Sequence, residues 1–263
     1  MRAAYVLIAI GLSLLGIDLG GLSASYSAPA GLWRPASSHT HGRLARAQLS
    51  KRPGEADDAY FSRLASEVHN GMGYYWSDKA DRVAVGDNWL LYAAGYVSHT
   101  YRMYEFTEAD RALARGYGIC SQYSNIVVDV LDDEGYSPRN VLYLDHTFVA
   151  VRSRAGRGYL VDPTFGVTIP ESLEAVRSRP SSVKPYYARV RANDSPNGRG
   201  GAALSGEIAH VLSGAPMAVN RGSVTPHTAI VEPIAYVLKW AIPIAGLALG
   251  GCLVVLRRRR RAR

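Results

Sequence analysis

Three side chains in the middle of the sequence, Cys120, His146 and Asp162, have the types needed for a cysteine-nucleophile site. The chain has two cysteines, and because Cys252 lies in a long apolar run, the surrounding domain holds one thiol without a disulfide partner. The thiolate is the nucleophilic form of cysteine. An imidazole can take up and return its proton, and a carboxylate can orient that imidazole. These residue types indicate nucleophilic chemistry at Cys120.

The elements around these residues are predicted to bring them together. Cys120 follows Arg115-Gly-Tyr-Gly-Ile119 and begins a helix predicted to end near Glu134. The two glycines allow a sharp turn and a close backbone approach, and the positive end of the helix macrodipole favours the thiolate. His146 begins one predicted strand and Asp162 ends another. Adjacent antiparallel strands would place both at one edge of a sheet, facing the start of the helix.

The rest of this region predicts an α+β domain in which helices pack on a small antiparallel sheet. Apolar residues recur at helical spacing over 57–76 and 87–99, and a short helix opens near Thr107. The pattern then changes to strands, predicted at 140–145, 147–152 and 158–161.

Both ends of the chain predict membrane segments. Ala3 to Ile17 is apolar and is followed by small residues up to Ala28, which is typical of a signal peptide or an N-terminal anchor over 1–28. Near the other end, 17 residues from Trp240 to Leu256 carry no charge. They precede a run of arginines, so the positive-inside rule places the tail 257–263 in the cytoplasm and the middle of the chain outside.

The predicted order of segments has six parts. They are the signal peptide or anchor (1–28), an exposed leader (29–56), the catalytic domain (57–191), a flexible linker rich in Gly, Ser, Ala and Pro (192–228), a transmembrane helix (229–256) and the arginine-rich tail (257–263).

The formal net charge of +8 does not indicate a nucleic-acid partner. Six arginines lie in the last seven residues, and the remaining excess of +2 is ordinary for a domain of this size. A basic tail is not a basic face, so nucleic-acid binding is not expected.

Three motifs in this order resemble the bacterial form of the transglutaminase-like superfamily of cysteine enzymes. They are Gly116-Tyr-Gly-Ile-Cys-Ser-Gln-Tyr-Ser124, Asp145-His-Thr-Phe-Val-Ala-Val151 and Tyr159-Leu-Val-Asp-Pro-Thr-Phe-Gly166. The resemblance covers about residues 85 to 175. It implies a papain-like core with Cys120 as nucleophile, His146 as general base and then acid, and Asp162 as the residue that orients the imidazole.

The resemblance implies an acyl-thioenzyme on a protein or cell-envelope peptide, resolved by water or by an amine. Such an enzyme is a peptidase, an amidase or a transglutaminase. An oxyanion hole would use the Cys120 backbone N–H and an upstream donor, for which Asn88 and Trp89 are the candidates. No metal or cofactor is implied.

Two other readings remain. One is a catalytically silent, membrane-tethered interaction module that kept the fold. The other is an arylamine N-acetyltransferase-like acyltransferase, whose motif before the cysteine is matched only in part by Arg115-Gly-Tyr-Gly. That chemistry needs acetyl-CoA, so a domain outside the cytoplasm argues against it.

Overall fold

A computed structural model describes residues 2–22, 26, 28–36, 38, 44–75, 82–223, 225 and 227–262. Helices are α1 (Arg2–Gly21), α2 (Arg46–Leu49), α3 (Asp57–Gly71), α4 (Trp89–Ala94), α5 (His99–Arg102), α6 (Ala109–Arg115), α7 (Cys120–Asp133), α8 (Leu173–Ser178), α9 (Lys184–Tyr187), α10 (Gly201–Ser213) and α11 (Thr228–Arg261). Strands are β1 (Gly73–Tyr74), β2 (Tyr117–Gly118), β3 (Arg139–Leu142), β4 (Thr147–Arg152), β5 (Gly158–Asp162), β6 (Val167–Ile169) and β7 (Ala218–Asn220). The α+β class is confirmed.

The chain divides into two compact units. The first comprises residues 1–26, 78–104 and 230–263, and it contains the two apolar helices α1 and α11. Each of these helices is long and apolar enough to cross a membrane. The second unit comprises residues 27–77 and 105–229, and it contains the sheet and the three predicted site residues.

The second unit is built on a five-stranded antiparallel sheet in the order β6-β5-β4-β3-β7. Strands β4 and β5 are buried on both faces, because helices cover each side. Phe148 and Leu160 point into a core shared with α9 and α10. On the other face Phe61 of α3 packs edge-on against Tyr159, with ring centroids 5.1 Å apart. This double burial explains why β4 and β5 have apolar residues at nearly every position.

Helices α3 and α7 follow the patterns predicted for them. Helix α3 opens with Asp57 and Asp58, whose charges suit a helix N-terminus, and buries Tyr60, Phe61, Leu64 and Val68. Helix α7 ends before Gly135, whose positive φ of 79° closes it.

The prediction of a flexible linker over 192–228 is wrong for the described part of this segment. Helix α10 buries Leu204, Ile208 and Leu212 against the sheet, and β7 pairs with β3 in antiparallel register. These three residues recur at helical spacing and form one apolar face of the helix. The linker prediction relied on the Gly- and Ala-rich composition and overlooked this spacing.

The prediction of an exposed leader over 29–56 is also wrong in part. Leu44 and Leu49 are buried. The Leu44 side chain packs closely on Gly71, because a Cβ added to Gly71 would lie 2.7 Å from the nearest atom of that side chain. Trp33 pairs with Tyr74 through backbone hydrogen bonds.

The helices predicted at 57–76 and 87–99 are shorter in the structure than predicted, because the first ends at Gly71 and the second ends before Gly95. Trp76 lies outside the described residues.

Candidate active site

The strand register explains why His146 and Asp162 meet. Val149 of β4 pairs with Val161 of β5, so Asp162 lies opposite Phe148. His146 precedes Phe148 by two positions and therefore shares its face, which makes it the diagonal neighbour of Asp162. The imidazole Nε2 lies 2.8 Å from Asp162 Oδ2, and the His146 and Phe148 rings meet edge to face at 4.6 Å.

Cys120 reaches the same point because α7 begins beside the start of β4. One turn into the helix, the Ser124 hydroxyl donates to the carbonyl of Thr147, the residue after His146, over 3.3 Å. The Cys120 side chain lies close enough to the His146 imidazole to raise its pKa. Since Nε2 is engaged by Asp162, Nδ1 is the ring nitrogen left for the thiol. All three predicted site residues are buried, and they form one contiguous set.

The segment before Cys120 is held in a fixed shape. Gly116 ends α6 with a positive φ of 77°, and a Cβ on Gly118 would lie 2.6 Å from the Gln122 side chain. The Arg115 guanidinium donates to the Tyr117 carbonyl and to Gln122 Oε1, over 3.0 and 2.9 Å. Both glycines are thus required, one by its conformation and the other by close approach.

The carboxylate of Asp162 is fully hydrogen-bonded. Besides His146, it accepts from the Tyr187 hydroxyl at 2.7 Å and from the Thr164 backbone N–H at 3.0 Å. Burial and the charge of Asp162 raise the pKa of Tyr187, so its hydroxyl stays protonated and donates. A carboxylate with three donors is fixed in place.

Burial opposes the charged form of His146, but its partners outweigh that effect. Desolvation alone would lower its pKa. The charge and hydrogen bond of Asp162, together with Cys120, instead raise the pKa of His146 from 6.5 to about 10. At neutral pH the imidazole is therefore protonated and can hydrogen-bond a thiolate.

Sequence reasoning missed Tyr74 and Tyr187. Strand β1 pairs in parallel with β2, and the pairing of Tyr74 with Gly118 holds Tyr74 beside the turn that leads to Cys120. The backbone and side chain of Cys120 both affect the pKa of the Tyr74 hydroxyl, which indicates that the two residues are neighbours. Burial, and then the neighbouring Cys120 and Tyr123, raise the pKa of Tyr74, so its hydroxyl stays protonated at neutral pH. No local pattern marks either tyrosine.

Asn88 and Trp89, the predicted oxyanion donors, belong to the first unit and are engaged there. The Asn88 side chain caps α4 by accepting from the N–H groups of Leu90 and Leu91, each at 3.1 Å. The Trp89 indole N–H donates to the Lys239 carbonyl at 3.3 Å. These contacts give both residues a structural role.

A cavity of about 420 Å³ opens beside His146. Its wall combines apolar side chains, among them Trp33 and Phe165, with the carboxyl groups of Asp145 and Glu207. A concave cavity beside a buried ionisable side chain is a candidate substrate site.

Comparisons with family models, with curated proteins and with solved structures found no match for this chain.

Proposed function

We propose that this chain is a membrane-anchored cysteine enzyme of the transglutaminase-like type, which forms an acyl-thioenzyme on a protein or cell-envelope peptide. The observation that carries the proposal is the buried relay in which His146 bridges Cys120 and Asp162. A lone buried cysteine needs no such partners. A nucleophile needs a proton carrier and a residue that orients it.

The residues present support a balanced reaction. The Cys120 thiolate attacks the carbonyl carbon of an amide, and the resulting oxyanion accepts hydrogen bonds from the Cys120 N–H and the Tyr74 hydroxyl. The His146 imidazolium gives its proton to the leaving amine as the C–N bond breaks, which leaves a thioester. Water or a second amine then attacks the thioester carbonyl while neutral His146 takes the proton from the attacking group, and the C–S bond breaks to release the acyl product and restore the Cys120 thiolate beside the imidazolium.

Asp162 has a positioning role in this scheme. It holds the imidazole with Nδ1 toward the thiol and stabilises the imidazolium, and Tyr187 and Thr164 hold Asp162 in turn. Neither of these two residues needs to touch the substrate.

Membrane attachment is part of the proposal. Helix α11 carries Arg257 to Arg261 at its C-terminal end, and Arg2 stands at the start of α1. The positive-inside rule would hold both ends in the cytoplasm and expose residues 22–228 on the opposite side. The substrate would then belong to the cell envelope.

Amine capture tests the proposed reaction. Membranes carrying the protein are incubated with a fluorescent primary amine, and a parallel sample receives hydroxylamine. We expect Cys120-dependent labelling of proteins or peptides if an amine is the acceptor, and Cys120-dependent hydroxamate if water is. Equal signals from wild type and Cys120→Ser in both arms would overturn the proposal.

The Tyr74→Phe variant tests the oxyanion assignment. It keeps the ring and removes the hydroxyl, so we expect turnover to fall about 100-fold, a loss typical of one oxyanion donor. Cys120 alkylation by a small haloacetamide forms no oxyanion and should change less than about threefold. Unchanged turnover would exclude Tyr74 from this role.

A further inference from the structure

The apolar helices α1 and α11 pack against each other through a narrow seam. The buried residues of α1 are Ala4, Gly11 and Asp18, which recur every seven positions. A repeat of seven keeps one face of a helix turned toward a partner. A signal peptide that is removed has no need of such a face.

Glycines at the seam allow the two helix backbones to approach closely. A Cβ on Gly11 would lie 2.9 Å from the Pro243 carbonyl oxygen, and one on Gly250 would lie 2.9 Å from that of Ala4. Because Gly11 meets 243 while Ala4 meets 250, the helices are antiparallel. Gly16 and Gly251 lie off the seam and have nothing within 4 Å of such a Cβ. Small residues at close crossings are typical of membrane helix pairs.

A buried pair of opposite charges lies farther along the same seam. Asp18 is fully buried, and its carboxylate is 4.0 Å from Lys239 Nζ of α11. Neither carboxylate oxygen of Asp18 makes a hydrogen bond to another part of the chain that the structure describes. Ionisable residues within apolar helices normally face a partner of opposite charge. The presence of each charged residue in its apolar helix is therefore explained by the opposite charge of the other.

One short segment, Gly86 and Asp87, contacts the ends of α1 and α11 that lie beyond this charged pair. Asp87 Oδ2 accepts two hydrogen bonds. One comes from the hydroxyl of Tyr26, a residue that follows α1, over 2.7 Å, and the other comes from the hydroxyl of Tyr236 in α11, over 2.6 Å. Lys239 Nζ donates to the Asp87 carbonyl at 2.6 Å. A Cβ on Gly21 would lie 1.5 Å from the Gly86 carbonyl oxygen, so no larger residue fits there.

From these contacts we infer that α1 is not a cleaved signal peptide but a permanent membrane helix that forms an antiparallel hairpin with α11. The inference rests on the membrane attachment in the proposed function. It places both arginine-bearing helix ends on one side of the bilayer, as the positive-inside rule requires. It also assigns Asp87 and Trp89 to holding the outer end of the hairpin.

The mass of the mature protein tests retention of α1. The full chain is expressed with a C-terminal affinity tag, extracted from membranes and weighed intact. We expect a mass that retains residues 2–22 in every preparation. A mass that begins after the small-residue stretch ending at Ala28 would overturn the inference. Recovery in the soluble fraction would instead contradict membrane attachment itself.

Disulfide formation tests the hairpin in matched variants. With Cys120 and Cys252 replaced by serine, Ile8→Cys with Gly250→Cys brings two thiols together, because a Cβ on Gly250 would lie 2.7 Å from Ile8 Cγ1. The control combines Ile8→Cys with Gly251→Cys, one position away and off the seam. We expect oxidation to remove both free thiols in the first variant, at least about tenfold faster than in the control. Equal rates would overturn the hairpin.

Single substitutions give a second test. Gly11→Val should reduce the recovery of folded protein in detergent several-fold, whereas Gly16→Val should not. Equal recovery of both would contradict close packing at Gly11. None of these readouts depends on Cys120, so failure of the hairpin and failure of the proposed enzyme are distinguishable.

Discussion

Asp162 and Asp18 are both fully buried, yet their surroundings differ greatly. Asp162 accepts hydrogen bonds from His146, Tyr187 and the Thr164 backbone, all within 3.0 Å. Asp18 has a cation at 4.0 Å and no hydrogen bond from the described residues. A buried carboxylate is stabilised only by such partners. The comparison indicates that three hydrogen bonds hold Asp162 in one orientation, whereas Asp18 is stabilised by a single ion pair between two helices.

The largest effect should come from removing Asp162. Asp162→Ala leaves the His146 imidazole and the Tyr187 hydroxyl buried without their acceptor, so we expect the free energy of unfolding to fall by about 3–5 kcal/mol. Alkylation of Cys120 at neutral pH should slow about 100-fold as the imidazole loses its orientation. Urea unfolding in detergent and the alkylation rate measure the two effects. Asp132→Ala, at an exposed position of α7, is the control and should change neither.

Removing one of the donors to Asp162 should have a smaller effect. Tyr187→Phe deletes the 2.7 Å hydrogen bond and keeps the ring. A hydrogen bond to a buried charged group is worth about 1.5–3 kcal/mol, and we expect a loss of that size in urea unfolding. Tyr186→Phe, at the half-buried neighbouring position, should cost less than about 0.5 kcal/mol. Equal losses in both variants would mean that Tyr187 acts through packing alone.

The pH dependence of stability should reveal the protonated imidazole. Because folding raises the pKa of His146 from 6.5 to about 10, its contribution is fully present below pH 6.5. That contribution is lost as the pH rises through 10. We therefore expect the stability difference between wild type and His146→Gln to be largest near pH 6 and to shrink toward pH 10. A difference that grows with pH would mean that the folded protein holds the imidazole neutral.

The smallest effect is expected at Asp18. Asp18→Asn removes a charge that lacks hydrogen bonds, and the amide keeps the shape of the side chain. Lys239 keeps its hydrogen bond to the Asp87 carbonyl in this variant, so the free energy of unfolding should change by less than about 1 kcal/mol, and Cys120 alkylation should be unaffected. A loss as large as that of Asp162→Ala would remove the distinction between the two aspartates.

Local patterns were sufficient to predict part of this molecule. Cys120 begins α7, His146 stands directly before β4 and Asp162 ends β5, all as predicted. Each of these positions follows from helix and strand periodicity within about fifteen residues, and antiparallel pairing of neighbouring strands is the simplest connection between them.

The remaining features depend on contacts distant in sequence. Tyr74 lies beside Cys120 because β1 pairs with β2, and Tyr187 of α9 contacts Asp162 from 25 residues farther along the chain. In the described part of 192–228, β7 pairs with β3, which lies more than 70 residues earlier in the chain. Composition and periodicity do not encode these pairings.

The most direct test of the central claim is the alkylation rate of Cys120 in a Cys252→Ala background, with and without His146→Ala. If His146 stabilises a thiolate, iodoacetamide should react about as fast at pH 6 as at pH 8, and His146→Ala should slow the reaction at pH 6 at least tenfold. An ordinary thiol with a pKa of about 8.5 would instead gain nearly tenfold per pH unit over this range. That ordinary profile, unchanged by His146→Ala, would contradict a cysteine-nucleophile site.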